Sequence, residues 1–179
     1  DVSNLAWKIS HCLKKKHDNK LLNTYQSERS SNVKEYIETT MRMGEFVNAV
    51  GKSPITNNIS ADSKGRKSMK SIKPKLGRGL GKLKDKLRGN IFPQFKNNEK
   101  NLDIKFSKKP ILVLSDKFKK SISNTINCYR NKSNTKLSRY LENANCEGLI
   151  VRPDRFILAS IKNLKDFKLI TKRNLKLLI

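Results

Sequence analysis

With 179 residues, the chain is long enough for one domain or for a small domain with an appendage. Its 40 Lys and Arg against 15 Asp and Glu give a formal net charge of +25, the balance of a protein that meets nucleic acid or another anionic surface. No uninterrupted apolar run of about 18 residues occurs, which excludes a membrane-spanning helix. Residues 1–13 lack the basic start and continuous apolar centre of a signal peptide.

The first element in chain order is a helix. Val2, Leu5, Ala6, Ile9, Cys12 and Leu13 recur at three- and four-residue spacing, the pattern of one apolar stripe. Asp1 and Ser3 suit a helix start, where side-chain oxygens accept orphan backbone N–H groups. Lys14, Lys15 and Lys16 close it with charge that suits the negative end of the helix dipole. After a loop at residues 17–20, a longer helix is expected over 21–50. Leu22, Tyr25, Val33, Tyr36, Ile37, Met43 and Val47 fall mostly on its inner face, with Glu28 and Arg29 on the flanks. Together the two predict an αα-hairpin.

Over residues 52–90 the composition turns to Ser, Lys, Gly, Asn and Pro, which predicts a basic, mobile connector, with partial order where it packs on a missing domain. Gly77-Arg78-Gly79-Leu80-Gly81-Lys82 has the look of a phosphate loop. It lacks the preceding apolar strand and the Lys-Ser/Thr ending that such a loop needs. Residues 96–179 predict a small α/β unit. Ile111-Leu112-Val113-Leu114 suits a buried strand, and Ser115 or Asp116 a cap for a helix carrying Phe118, Ile122 and Ile126 inward. Gly148–Val151 and Phe156–Ala159 flank Arg152-Pro153-Asp154-Arg155, with Pro and Asp at the two central positions of a type I turn. A final helix is expected from Asn163 to Ile179.

Cys12, Cys128 and Cys146 are far apart and odd in number, with no C-x-x-C pair. That argues against a redox motif or a zinc site and for reduced thiols in a cytoplasmic protein. His11 and His17 have no second ligand at metal spacing, so no metal site is expected.

Three stretches carry more than periodicity. Asp1-Val2-Ser3-Asn4-Leu5-Ala6-Trp7-Lys8-Ile9, followed by Leu21-Leu22-Asn23-Thr24-Tyr25-Gln26-Ser27-Glu28-Arg29, resembles a segment of the single-component FAD-dependent aromatic hydroxylases of the phenol hydroxylase and 3-(3-hydroxyphenyl)propionate hydroxylase type. There the segment runs roughly D-x-x-N-L-A-W-K-L, then L-L-D-S/T-Y-x-x-E-R-R-P; Ser30 and Ser31 depart from the Arg-Pro ending. Gly89-Asn90-Ile91-Phe92-Pro93-Gln94-Phe95 is similar to the G-x-L-F-P-Q-P that precedes the family's last domain, with Phe95 in place of Pro. Val151-Arg152-Pro153-Asp154-Arg155-Phe156 looks like the last hairpin of the family's thioredoxin-like C-terminal domain.

The resemblance implies an α/β (α+β) chain in three parts. Residues 1–51 would be the C-terminal helices of the FAD-binding monooxygenase domain, 52–95 a basic linker, and 96–179 a thioredoxin-like domain. It implies the C-terminal part of an enzyme that hydroxylates a phenolic aromatic acid with FAD, NAD(P)H and O2. The last domain would serve packing, shielding or subunit contact, which includes homodimer formation. Asp1 and Asn4 would support the flavin loop from behind, and no catalytic residue falls within the chain. The G-x-G-x-x-G unit that binds the ADP part of FAD is absent from the 179 residues, so the isolated chain is expected neither to retain FAD nor to hydroxylate. The competing identity is a small Lys-rich nucleic-acid-binding protein. Against it, the basic residues are mostly Lys, whereas Arg makes the bidentate contacts to guanine and phosphate. No aromatic interleaves with the basic run at 60–88 to stack bases. A Lys/Asn/Ile bias is also what an AT-rich genome writes into any protein.

Overall fold

The computed structural model describes residues 2–15, 20–48, 59–61, 67–69, 72–81, 84–97, 100–101, 109–118, 127–132 and 135–178. The two expected helices are α1, Val2–Lys15, and α2, Lys20–Asn48. They pack on each other through an unexpected face. Val2, Ile9 and Leu13 of the expected apolar stripe are 81%, 41% and 75% exposed, while Asn4, Trp7 and Lys8 are buried. On α2, Leu21, Glu28, Asn32 and Thr39 are buried, and Tyr36, Ile37, Met43 and Val47 face outward. The periodicity located the helices and not their inner faces, because the buried faces here are polar and pay for their desolvation by pairing with one another.

Two short antiparallel hairpins fall within or beside the expected connector: β1, Ile59–Ala61, with β2, Lys67–Met69, and β3, Lys96–Asn97, with β4, Lys100–Asn101. Where the connector is described from residue 72 on, it is ordered by packing, and its partners are parts of this chain, α2 and the residues before Ile111 among them, rather than a missing domain. Asn32 Nδ2 donates to the Pro74 carbonyl at 2.8 Å, the Gly77 N–H to the Glu28 carbonyl at 2.8 Å, and the Leu76 N–H to the Gly89 carbonyl at 2.9 Å. Leu76 and Phe92 are buried, at 3% and 0% exposed. Their apolar area is what removes this stretch from water in spite of its lysines.

The α/β unit is a four-stranded mixed sheet. Its strands are β5, Ile111–Leu114; β6, Cys128–Arg130; β7, Gly148–Val151; and β8, Ile157–Ile161, in the order β6-β5-β7-β8. β5 runs parallel to β6 and antiparallel to β7, and β7 antiparallel to β8. Helix α3, Lys136–Asn143, links β6 to β7, and α4, Leu164–Leu178, follows β8. Thr135 caps α3 through a reciprocal box: its hydroxyl accepts the Ser138 N–H, and the Ser138 hydroxyl accepts the Thr135 N–H. Both sheet faces are covered, and β5 and β7 accordingly carry apolar runs rather than alternation. Val113, Leu149, Val151 and Ile157 pack under α3 and Phe92; Leu112, Leu114, Ile150 and Leu158 pack with Phe118 and Ile170.

The β7–β8 connection is the expected turn. The Arg155 N–H donates to the Arg152 carbonyl at 3.0 Å, and Arg155 follows with φ 68°, the left-handed residue that completes a type I turn plus bulge. The expected helix at Ile122 and Ile126 lies outside the described residues; Phe118, before it, is buried. The described residues contain no helix long and apolar enough to cross a membrane.

Candidate functional site

The polar faces of α1 and α2 meet the β7–β8 turn in one buried network. Its centre is Glu28, 0% exposed. Arg152 reaches it with two guanidinium nitrogens, Nη1 to Oε1 and Nη2 to Oε2, each at 2.9 Å. Such a bidentate fork fixes direction as well as charge. Lys8 Nζ donates to Oε2 at 2.9 Å, and the Leu80 backbone N–H to Oε1 at 2.9 Å. Arg152 also holds Asp154, Nε to Oδ1 at 3.0 Å and Nη2 to Oδ2 at 2.7 Å. Asn4 closes the ring, its Nδ2 donating to Asp154 Oδ2 at 2.8 Å and to Glu28 Oε2 at 3.3 Å. Two aromatic rings line it: Arg152 Cζ lies 5.1 Å from the Trp7 ring centroid, and Lys8 Nζ 5.8 Å from that of Tyr25.

The network is charge-balanced, with Lys8 and Arg152 against Glu28 and Asp154. Burial alone would raise the Glu28 carboxyl. The Arg152 charge and the hydrogen bonds from Arg152, Lys8 and Leu80 outweigh it and hold the carboxyl below the ordinary carboxylate range. Burial lowers the Lys8 ammonium, with Glu28 opposing. Each charge is tolerable only because the others are present.

The glycine-rich stretch serves this network rather than a phosphate. A Cβ on Gly79 would lie 2.3 Å from Glu28 Cγ and 2.5 Å from Oε1, so only glycine lets the chain pass close enough for the Leu80 N–H to reach the carboxylate. The Gly89–Phe95 stretch joins from the other side. The Phe92 N–H donates to the Arg155 carbonyl at 2.8 Å, Arg155 Nη2 to the Phe92 carbonyl at 3.0 Å, and the Ile157 N–H to the Asn90 carbonyl at 2.9 Å.

Of the two residues expected to back a flavin loop, Asp1 lies outside the described residues. Asn4 is buried in the first turn of α1, and its amide N–H groups are already given to Glu28 and Asp154. Sequence reasoning placed Glu28 on a flank and gave no role to Trp7, Lys8, Arg152 or Asp154 in a common site. The signal was present only as charged letters inside otherwise apolar motifs. The described residues hold no group of three or more His, Cys, Asp or Glu able to bind a metal ion.

No family model matches the chain, and a search of curated proteins finds no match.

Proposed function

We propose that the chain is the C-terminal part of a single-component FAD-dependent aromatic hydroxylase, of the phenol hydroxylase and 3-(3-hydroxyphenyl)propionate hydroxylase type. The observation that carries this is convergence. Asn4, Trp7 and Lys8 from the first motif, Tyr25 and Glu28 from the second, and Arg152 and Asp154 from the last meet in one buried cluster, across as many as 150 positions of sequence. The Gly89–Phe95 motif packs on the same hairpin. Stretches that resemble one family separately are thus parts of one packed unit. The sheet order β6-β5-β7-β8, with the first two strands parallel, a helix before the third, an antiparallel third and fourth, and a closing helix, supports a thioredoxin-like C-terminal domain.

The residues present do not fit the cofactor's main binding site. The glycines at 77 and 79 are committed to close packing against α2, and the G-x-G-x-x-G unit is absent from the sequence. No chemical step therefore falls to this chain. Its contribution is structural: the Glu28–Arg152 fork ties α2 to the β7–β8 turn, and Asn4 and Lys8 hold the start of α1 to the same cluster through Asp154 and Glu28. When bound elsewhere in the enzyme, FAD supplies the oxygen chemistry, with NAD(P)H as reductant and a phenolic acid as substrate.

The test is NAD(P)H oxidation and O2 uptake by the native polypeptide. Stimulation of both by a phenolic acid is expected. A native polypeptide that oxidises no nicotinamide with any phenol, and carries no flavin, would remove the proposal.

A further inference from the structure

Helix α2 outruns its partner. At about 1.5 Å per residue, its 29 residues reach about 43 Å and the 14 of α1 about 21 Å, so α1 covers only the first half. Leu21, Glu28 and Asn32 are buried there. Past Asn32, Thr39 alone is buried among the described side chains of α2. What the second half shows to water is largely apolar: Ile37, Met43 and Val47 are 51–62% exposed, and Tyr36 is exposed with them.

These side chains are spaced for another helix. Val33, Tyr36, Thr40, Met43 and Val47 follow one another at alternating steps of three and four, the a and d positions of two heptads. The Thr40 hydroxyl donates to the Tyr36 carbonyl at 2.9 Å, so its methyl can enter a dry seam without an unmet donor. The charges lie on the far side of the helix, where Glu38 pairs with Lys34 at 3.8 Å and Arg42 at 3.9 Å. Gly44 sits beside the seam, at an e position. Glycine is a poor helix former, and a Cβ added here would meet nothing within 4 Å. The chain's own packing gives no reason for a glycine at this place; the close approach of a second helix does.

Charge favours this face for self-association. Lys34 and Arg42 against Glu35, Glu38 and Glu45 leave residues 33–48 at a net −1, in a chain of +25. Two strongly basic molecules repel one another over most of their surfaces and least where the local charge is of the other sign. A heptad seam is also its own complement, as a two-fold contact requires.

We propose that two copies of this chain pair through the second halves of α2, running antiparallel. Tyr36 then packs on Val47 of the second copy and Thr40 on its Met43, with Gly44 of one copy beside Ile37 of the other. Large side chains lie against small ones. A parallel pair would stack Tyr36 on Tyr36 and Gly44 on Gly44, large on large and small on small. The pairing does not rest on the proposed flavin chemistry and leaves the Glu28 network untouched.

The experiment is sedimentation velocity of the full 179-residue chain from about 1 μM to about 1 mM, the span of weak dissociation constants. The mass should rise with concentration from 20.6 kDa toward twice that value. Met43→Glu, which sinks an unpaired charge in the seam, should weaken association about tenfold or more. Met41→Glu makes the same change at an exposed position off the seam and should leave association unchanged. Gly44→Gln should weaken it severalfold while keeping the helix content. Oxidation of a mixture of Tyr36→Cys and Val47→Cys chains should give the 36–47 cross-link in peptide maps. One mass at every concentration, the result if another domain of a longer polypeptide is what covers this face, would overturn the proposal. So would dimers that survive Met43→Glu, equal loss with Met41→Glu, or 36–36 and 47–47 links in place of 36–47. Circular dichroism matching the parent in each variant keeps a folding defect from passing for lost pairing.

Discussion

Glu28→Ala is the sharpest perturbation the structure offers. It removes the acceptor of hydrogen bonds from Asn4, Lys8, Leu80 and two nitrogens of Arg152. Lys8 and Arg152 would then share Asp154 alone, leaving one net positive charge at a site where Lys8 is 0% and Arg152 2% exposed. Breaking a buried ion pair from one side costs about 3–5 kcal/mol, because the orphaned charge stays buried. That is a large part of the roughly 5–15 kcal/mol that holds a domain folded. For a chain of this length each kcal/mol lowers Tm by about 2–4 °C, so a fall of about 6–20 °C is expected. Thermal and urea unfolding followed by circular dichroism would read it. The control is Lys117→Ala, which breaks an exposed pair with Glu142 and should leave the midpoint unmoved. A Glu28→Ala protein whose midpoint matches the control would refute the claim that this network holds the helices to the sheet.

Other outcomes follow from the same geometry. Gly79→Ala should destabilise by about 1–3 kcal/mol, since its Cβ would press on a Glu28 side chain that hydrogen bonds hold in place; the same urea titration reads it. The Glu28 carboxyl titrates below its unfolded value, so its stabilisation is present above about pH 4.3, the unfolded carboxyl value, and is lost as pH falls through the folded one. Urea midpoints taken from pH 7 down to pH 3 should fall for the parent, and fall less for Glu28→Ala. Burial pushes up both the Cys128 and the Cys146 thiols, the latter to about 11, so iodoacetamide at pH 8 should alkylate the exposed Cys128 slowly and the buried Cys146 only on unfolding; mass spectrometry of the peptides separates them. Retention on nucleic acid should be weak and vanish with modest salt. Tight binding with a steep log-log salt slope would favour the nucleic-acid-binding identity instead.

Elements made by local chemistry were legible in the sequence. The apolar run at Ile111–Leu114 became a buried strand, and Pro153 and Asp154 made the turn that their positions predict. Helices α1 and α2 came from their periodicity. What periodicity missed was which face turns inward, because Asn4, Lys8 and Glu28 are buried by partners such as Arg152, 124 positions from Glu28. No local pattern encodes a charge pair at that separation. β6 was missed because Cys128-Tyr129-Arg130 is short, with exposed ends, and takes its place from pairing with β5. The glycines at 77–81 looked like connector, since glycine's value there is the closeness of another backbone and side chain. Lys8, Glu28, Arg152 and Asp154 stood in the sequence only as charged residues within otherwise apolar stretches, and nothing in their spacing said that they meet.

The most direct test of the proposed function is the intact mass and visible absorbance of the native polypeptide from its source. The account predicts a mass well above 20.6 kDa with flavin absorption bands. A native polypeptide of 20.6 kDa without them would contradict it.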